Sequence, residues 1–274
     1  MTGTPYAEVI GDPIGHSRSP AIHGFWLSRL GLSADYRACR VTPDGLADYF
    51  AARRIDPDWR GCNITIPHKQ NALPLVDSAE DGGIGAVNTV VRSKQGLVGR
   101  NTDMGGLAAS LPEQLPEGER IVLVGGGGAA AAALAAFKAR KLACDLIVRN
   151  REQGEKLIER IGAQGRVLSF EEAPQAIAGS AGLVNASPLG MNGFPPMPPQ
   201  ILSSVQAMST GGFVLDMVYV PLRTPLLEQA VNYRLVAIDG LAMLIGQAAL
   251  AFRYFFAVDP PRDADAELRA LLTT

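Results

Sequence analysis

Five polar residues occur where predicted strands give way to turns, and their types suit hydroxyl and proton chemistry: Asn63, Thr65, Lys69, Asn88 and Asp103. The edge of an open α/β sheet where strands end is the usual place for binding residues. An amine beside a carboxylate can manage a proton, while amides and hydroxyls can bind a polar substrate. Each residue alone would be interpreted as a turn former or a solvated side chain, and only their number favours a site.

Two serines precede a predicted helix and could bind a carboxylate. Ser17 and Ser19 lie in the polar segment 15–20, after which apolar residues recur at helical spacing. Ser19 followed by Pro20 fits an N-cap with proline at the first helical position. Hydroxyl and N–H groups at a helix start bind anions. From spacing alone, however, a simple capping role is the favoured interpretation.

A glycine-rich stretch predicts a cofactor site. Four glycines occupy positions 125–128, after a short apolar run and before a long alanine-rich segment that a second apolar run follows. Gly125, Gly127 and Ala130 fit the three small-residue positions of the dinucleotide-binding fingerprint. Glycine permits the tight turn and leaves the helix start open to a pyrophosphate. A mere glycine loop would not explain the flanking strands, so the pattern predicts dinucleotide binding.

Composition and charge argue against several other classes of function. The chain has 274 residues, of which 47% are hydrophobic and 19% charged, enough for one large or two medium domains with a sizeable core. Its formal net charge is -2, with both signs dispersed, which predicts no nucleic-acid or membrane partner. The three cysteines are widely spaced and the three histidines lack a carboxylate cluster, so we expect neither disulfides nor a metal site. The absence of a recognisable signal peptide or spanning segment predicts a cytoplasmic protein.

Strand-like and helix-like segments alternate along most of the chain, which predicts an α/β fold. The stretch 104–118 contains prolines and glycine and is a candidate domain junction. The tract 193–199 is predicted to be a stiff loop. A long helix is expected over 239–257 and a last one over roughly 263–272.

Separated motifs along nearly the whole chain resemble those of the shikimate/quinate dehydrogenases. They are the segments 15–20, 63–69, 85–89, 101–103, 185–191, 216–219 and 240–247. One such match would be chance, whereas this many in the same order would not. The resemblance implies an α/β fold of two domains. These are a substrate domain of residues 1–104 plus 240–274 and a Rossmann-type dinucleotide-binding domain of residues 105–239, with a cleft between them.

The resemblance also implies a reaction and the residues that carry it. The expected activity is hydride transfer that interconverts 3-dehydroshikimate and shikimate, with Lys69 as the acid/base catalyst and Asp103 as its partner. The substrate-binding residues would be Ser17, Ser19, Asn63, Thr65, Asn88, Tyr219 and Gln247. The cofactor-binding residues would be Gly125, Gly126, Gly127, Gly128, Ala129, Asn150, Arg151, Met217 and Gly240.

Three residues depart from the family pattern: Gly24, Ala131 and Glu152. Arg151 can grip the 2′-phosphate of NADP, whereas Glu152 would repel that phosphate or accept hydrogen bonds from the ribose of NAD. We therefore expect NADP, with NAD possible.

Two other functions remain open. A quinate/shikimate dehydrogenase paralogue would act on a related cyclic substrate. A non-catalytic dinucleotide-binding sensor would not need the proton-transfer pair, so retention of Lys69 and Asp103 argues against it. The expected partner is a small molecule, and the chain is expected to be a monomer or a homodimer.

Overall fold

The structure is a computed structural model that describes residues 3–273. The chain divides into two compact units. The first unit contains the residues up to Thr102 and those from Gln247 onwards, and the second runs from Asp103 to Gly246. The second division lies later than the boundary after residue 239 that the sequence suggested, because a helix continues without a break from one unit into the other.

The strands are β1 Tyr6–Gly11, β2 Asp35–Arg40, β3 Trp59–Ile64, β4 Ser78–Glu80, β5 Thr89–Ser93, β6 Gly96–Arg100, β7 Arg120–Val124, β8 Ala143–Ile147, β9 Gly165–Leu168, β10 Gly182–Asn185, β11 Phe213–Asp216 and β12 Val236–Ile238. The α-helices are α1 Ser19–Arg29, α2 Leu46–Ile55, α3 Asp103–Ser110, α4 Gly128–Ala139, α5 Arg151–Ile161, α6 Ala173–Ile177, α7 Pro199–Ser204, α8 Pro225–Asn232, α9 Gly240–Phe256 and α10 Asp265–Thr273. Within residues 3–273, no helix is both long enough and apolar enough to cross a membrane.

The first unit is built on a mixed sheet with the strand order β2-β1-β3-β5-β6-β4. β1 pairs in parallel with β2 and β3, so the carboxyl ends of these three strands lie at one edge. β5 is antiparallel to β3 and to β6, which brings the start of β5 and the end of β6 to that same edge. The polar residues predicted to form a site in this unit therefore lie near that edge.

The second unit contains a wholly parallel sheet with the order β9-β8-β7-β10-β11-β12. This is the order of the doubly wound dinucleotide-binding fold, which reverses direction between its first and fourth strands, here β7 and β10. The predicted strand, glycine turn and helix are β7, residues 125–127 and α4. The α/β fold class and the Rossmann-type unit are confirmed.

Two helices were not predicted from the sequence. α3 occupies the start of the expected junction 104–118, because its glycine and alanine residues pack closely against α4. α7 begins at Pro199, at the end of the tract predicted to be a stiff loop. Proline is well tolerated in a first helical turn, where its missing N–H is not needed.

A buried histidine in the first unit gives a prediction about acid stability. The imidazole of His23 is wholly buried and stacks on Tyr36, with ring centroids 3.8 Å apart. Neither of its ring nitrogens has a hydrogen-bond partner among the described residues. Burial lowers the pKa of His23 from 6.5 to about 3. Below about pH 6.5, His23 therefore binds a proton in the unfolded chain but stays neutral in the folded unit. The free energy of unfolding consequently falls as the pH drops from 6.5 towards 3.

We expect His23→Phe to flatten this dependence, because the aromatic ring is kept and the titrating group is removed. Between about pH 7 and about pH 4.5, the wild type should lose roughly 2–3 kcal/mol more unfolding free energy than the variant. Tryptophan fluorescence during urea unfolding measures this, since Trp26 and Trp59 are the only tryptophans and both lie in the first unit. Equal losses in both proteins would contradict the assignment.

Candidate active site

Strand register gathers the polar residues of the first unit at one edge of its sheet. Asn63 lies opposite Thr89, and Thr89 lies opposite Arg100. Asn88 immediately precedes Thr89, and Thr102 follows two residues after Arg100. Segments that are distant in sequence therefore meet here.

Asn88, Thr102 and Gln247 form a buried hydrogen-bonded group. The backbone N–H of Thr102 donates to Asn88 Oδ1 over 2.7 Å, and Asn88 Nδ2 donates to Thr102 Oγ1 over 3.0 Å. Asn88 Nδ2 and Thr102 Oγ1 also lie 3.5 and 3.3 Å from Gln247 Oε1 on α9. Gln247 is thus fixed beside Asn88.

Asn63 is held by three protein partners. Its Oδ1 accepts a 2.6 Å hydrogen bond from the Tyr36 hydroxyl. Its Nδ2 donates to Thr89 Oγ1 over 3.0 Å and to the Asn88 carbonyl over 3.4 Å. Burial raises the pKa of Tyr36 well above its ordinary value, and a hydrogen bond with the Ser19 side chain acts in the opposite direction.

The two serines lie at the start of α1, but Ser19 is not its N-cap. Arg18 is the cap residue and already has a helical backbone, and no side-chain cap bond forms there. Ser17 Oγ instead accepts a 3.3 Å hydrogen bond from the N–H of Ser19. Ser19 itself is buried, and its side chain meets the Tyr36 hydroxyl. The predicted capping role of Ser19 is therefore wrong, because the helical conformation begins one residue earlier.

Lys69 lies in the turn after β3 and is half-buried. Its carbonyl accepts a 2.8 Å hydrogen bond from the N–H of Val87, which ties this turn to the segment that carries Asn88. The N–H of Thr65 donates to the Ile10 carbonyl over 3.0 Å, so the turn is also tied to β1. Thr65 is half-buried like Lys69. Asp103 is buried at the start of α3 in the second unit, immediately after Thr102.

Two glycines of the turn in the second unit, Gly125 and Gly127, are required for different reasons. Gly125 has φ +122°, and a Cβ there would lie 2.9 Å from the Ala186 carbonyl oxygen, so the fold itself demands glycine. Gly127 has φ −90°, and a Cβ there would have no described atom within 4 Å. The backbone conformation of Gly127 is open to any residue. Because glycine has no side chain, the N–H groups at the start of α4 remain accessible to a ligand. This open helix start fits the pyrophosphate of a dinucleotide.

The residues predicted to bind the adenosine end occupy the start of α5. Asn150 Oδ1 caps this helix by accepting the N–H of Gln153 over 3.1 Å. Arg151 donates to the Val167 carbonyl and to Glu172 Oε2, each over 2.8 Å. Glu152 pairs with Lys156 over 2.6 Å. The negative charge of Glu152 thus has a neighbouring cation, and the guanidinium of Arg151 remains partly exposed at the end of β8.

A buried carboxylate holds the loops that follow β10 and β11. Asp216 Oδ1 accepts hydrogen bonds from Asn185 Nδ2 over 2.9 Å and from the N–H of Val218 over 3.0 Å, and its Oδ2 accepts from Thr224 over 2.7 Å. Burial raises the pKa of Asp216, and these three hydrogen bonds oppose the rise. Asn185 Oδ1 in turn accepts from the N–H and the hydroxyl of Ser187. Both loops therefore start from a fixed point at the carboxyl edge of the sheet.

Met217 and Gly240 lie close together in the second unit. A Cβ at Gly240 would lie 2.5 Å from the Met217 carbonyl oxygen, so only glycine permits this approach of α9. Met217 and Tyr219 are half-buried in the loop after β11. Among residues 3–273, no three His, Cys, Asp or Glu side chains are grouped as metal ligands.

The sequence analysis did not single out five polar residues as members of these networks: Tyr36, Thr89, Thr102, Thr224 and Glu172. Their positions depend on strand pairing and helix packing. The one available signal was that Thr89 and Thr102 adjoin residues that were predicted to bind substrate.

Comparison with known proteins adds an independent finding. Two family models match: the shikimate dehydrogenase substrate binding domain over residues 9–90 and the shikimate 5′-dehydrogenase C-terminal domain over residues 240–267. The NADP(+) shikimate dehydrogenase of Sphingopyxis alaskensis is 48% identical, covering 98% of this chain and 97% of its own. That of Rhodospirillum rubrum is 38% identical, with coverage of 96% and 95%. The crystal structure of the Thermus thermophilus shikimate 5-dehydrogenase with NADP(H) and shikimate is 33% identical, with a TM-score of 0.83 and coverage of 97% and 99%.

Proposed function

The chain belongs to the shikimate dehydrogenase family, and we propose that it interconverts 3-dehydroshikimate and shikimate with NADP(H). The observation that carries the proposal is the buried group of Asn88, Thr102 and Gln247. It lies at the sheet edge where the turn that carries Lys69 is hydrogen-bonded to the segment that carries Asn88. We further propose that the enzyme serves aromatic amino acid and chorismate biosynthesis in the cytoplasm, as a monomer or a homodimer.

Lys69 acts as the acid/base catalyst. When bound, NADP supplies the hydride acceptor for oxidation of the alcohol, and NADPH the donor for reduction of the ketone. Lys69 takes the proton of the reacting hydroxyl in the first direction and returns it in the second. Asp103 accepts a hydrogen bond from a substrate hydroxyl and orients the Lys69 amine.

Polar side chains orient the cyclic substrate. Thr65, Asn88 and Gln247 bind its ring hydroxyls, because amides and a hydroxyl supply both donors and acceptors. Tyr219 contributes a further hydroxyl from the loop after β11. Buried polar groups of this kind discriminate strongly against analogues that leave them unpaired.

Arg151 selects NADP by binding its 2′-phosphate through the planar guanidinium. The phosphate competes with Glu172 for the guanidinium, and this exposed ion pair is weak enough to exchange. Glu152 is already paired with Lys156, which reduces its repulsion of the phosphate. The glycine turn at 125–128, with Ala129 and Asn150, provides N–H groups and space for the rest of the dinucleotide.

The serines at the start of α1 bind the substrate carboxylate. We expect Ser17→Ala and Ser19→Ala each to raise the KM for shikimate about tenfold, with the KM for NADP unchanged, because each removes one hydrogen bond to a charged group. Steady-state kinetics measure both constants. Ser28→Ala, at an exposed position of the same helix, is the matched control. An unaltered KM for shikimate in both variants would leave the serines with a structural role only.

A steady-state assay of four substrate pairs tests the function. Shikimate and quinate are each supplied with NADP and with NAD. We expect the highest kcat/KM for shikimate with NADP. A preference for quinate, or for NAD, would identify a diverged paralogue. NADP binding without turnover of either substrate would identify a dinucleotide sensor.

A further inference from the structure

A continuous chain of hydrogen-bonded side chains crosses the substrate edge of the first unit. Its members are at least nine-tenths buried and come from five separate segments of the chain: Tyr36, Asn63, Thr89, Asn88, Thr102 and Gln247. Consecutive members are joined by hydrogen bonds of 2.6, 3.0, 3.1, 3.0 and 3.3 Å. The residue at its far end, Tyr36, lies on β2 and was not predicted to bind substrate, although its hydroxyl meets the side chain of Ser19.

A backbone donor fixes the orientation of the Asn88 amide. The N–H of Thr102 can only donate, so the atom of Asn88 that faces it at 2.7 Å must be the amide oxygen. Thr89 Oγ1 lies 3.1 Å from this same oxygen and 3.2 Å from Thr102 Oγ1, and its single hydrogen can be donated to either. Thr89 Oγ1 also accepts a 3.0 Å hydrogen bond from Asn63 Nδ2.

A backbone acceptor fixes the orientation of the Asn63 amide. The carbonyl of Asn88 can only accept, and it lies 3.4 Å from Asn63 Nδ2. The amide oxygen of Asn63 is thereby turned towards Tyr36, so the Tyr36 hydroxyl must donate. His23 stacks on the ring of Tyr36 with an interplanar angle of 4°. The two links from Tyr36 through Asn63 to Thr89 thus have one allowed polarity.

We propose that Tyr36 is a positioning residue of the substrate site, whose hydroxyl holds the Asn63 amide at the start of the hydrogen-bonded chain that reaches Asn88 and Gln247. Both amide hydrogens of Asn63 are donated within the protein, so Asn63 links Tyr36 to the Asn88 segment. The inference rests on the proposed function, because it identifies Asn88 and Gln247 as substrate ligands. Loss of the Tyr36 donor leaves the amide oxygen of Asn63 buried and without this hydrogen bond. Rotation of the Asn63 amide would not restore the bond without cost, because it would place the amide oxygen against the carbonyl oxygen of Asn88.

Four substitutions test the chain by kinetics. Tyr36→Phe removes the first donor, and Thr89→Val removes the central link. Thr89→Ser keeps the hydroxyl, and His23→Phe alters the packing around Tyr36 while leaving the chain intact. We expect Tyr36→Phe and Thr89→Val each to raise the KM for shikimate about tenfold, while the dissociation constant of NADP stays within about twofold. Thr89→Ser and His23→Phe should keep the wild-type KM.

The double variant provides a stricter kinetic test. If the chain acts as a unit, Tyr36→Phe combined with Thr89→Val should raise the KM hardly more than either change alone. Additive effects, or a wild-type KM in both single variants, would overturn the proposal and leave Tyr36 with a packing role. NADP binding confirms that the second unit of each variant is folded.

A second readout does not depend on turnover, so it separates this inference from the proposed function. In ¹⁵N-labelled protein, the side-chain NH₂ signals of Asn63 and Asn88 should exchange slowly with solvent in the wild type and in Thr89→Ser. They should lose protection in Thr89→Val, and the Asn63 signal should also lose it in Tyr36→Phe. Retained protection in both would overturn the proposed chain even if shikimate proved not to be the substrate.

Discussion

Replacing Lys69 with alanine is expected to lower kcat for shikimate oxidation by at least about a hundredfold, which is the usual contribution of a positioned acid/base group. The amine lies in the turn between β3 and the Asn88 segment, and its loss removes the group that takes the hydroxyl proton. Steady-state kinetics in both directions measure the effect. Binding of NADP should be unchanged, because Lys69 belongs to the first unit and the glycine turn belongs to the second.

Two further variants make this result specific. Lys94→Ala removes an exposed lysine from the same unit and should leave kcat unaltered. Lys69→Met keeps most of the side-chain volume and should be as impaired as Lys69→Ala, since the deficit comes from the lost amine. A kcat within a few-fold of the wild type in both Lys69 variants would remove this residue from the mechanism.

Replacing Gly127 with valine is expected to weaken NADP binding at least about tenfold without unfolding the second unit. The backbone of Gly127 is in a region open to any residue, and a Cβ there meets no atom of residues 3–273 within 4 Å. The branched side chain would cover the N–H groups at the start of α4. Titration of NADPH fluorescence measures the dissociation constant, and far-UV circular dichroism monitors unfolding.

Gly125→Val is the informative contrast to Gly127→Val. Its side chain would meet the Ala186 carbonyl, and its φ of +122° is strained for any residue with a Cβ. We therefore expect this variant to lose stability as well as affinity. Unchanged NADP affinity in Gly127→Val would show that the dinucleotide does not lie on this turn.

Local pattern was sufficient to predict the strand, glycine turn and helix at the start of the Rossmann-type sheet, although α3 and α7 of the same unit were missed. The strand β7, the glycine turn and α4 are continuous in sequence, and each residue type reports directly on the backbone that it must adopt. The parallel order of the sheet follows from repeated strand–helix alternation and the handedness of crossover connections. The reason for Gly240 was not visible in the sequence, because it depends on how closely α9 approaches the loop after β11.

The substrate edge of the first unit was only partly predictable. Asn88 was selected from its position at a strand end and Gln247 by resemblance, yet their hydrogen bond joins residues 159 positions apart and depends on how α9 packs. Tyr36 carries no motif, and only strand order brings β2 within reach of β3 across β1. The pairing of Arg151 with Glu172 likewise depends on the course of the chain between β9 and α6. Side-chain partners of this kind are set by tertiary structure rather than by local propensity.

A crystal structure of the protein with NADP and shikimate would show whether Lys69 is placed to move the hydroxyl proton. We expect Lys69 Nζ to lie within about 3 Å of the hydroxyl on the carbon that faces the nicotinamide. We also expect the shikimate carboxylate to lie at Ser17 and Ser19. A substrate bound elsewhere, or a Lys69 amine directed away from that hydroxyl, would rule out this mechanism.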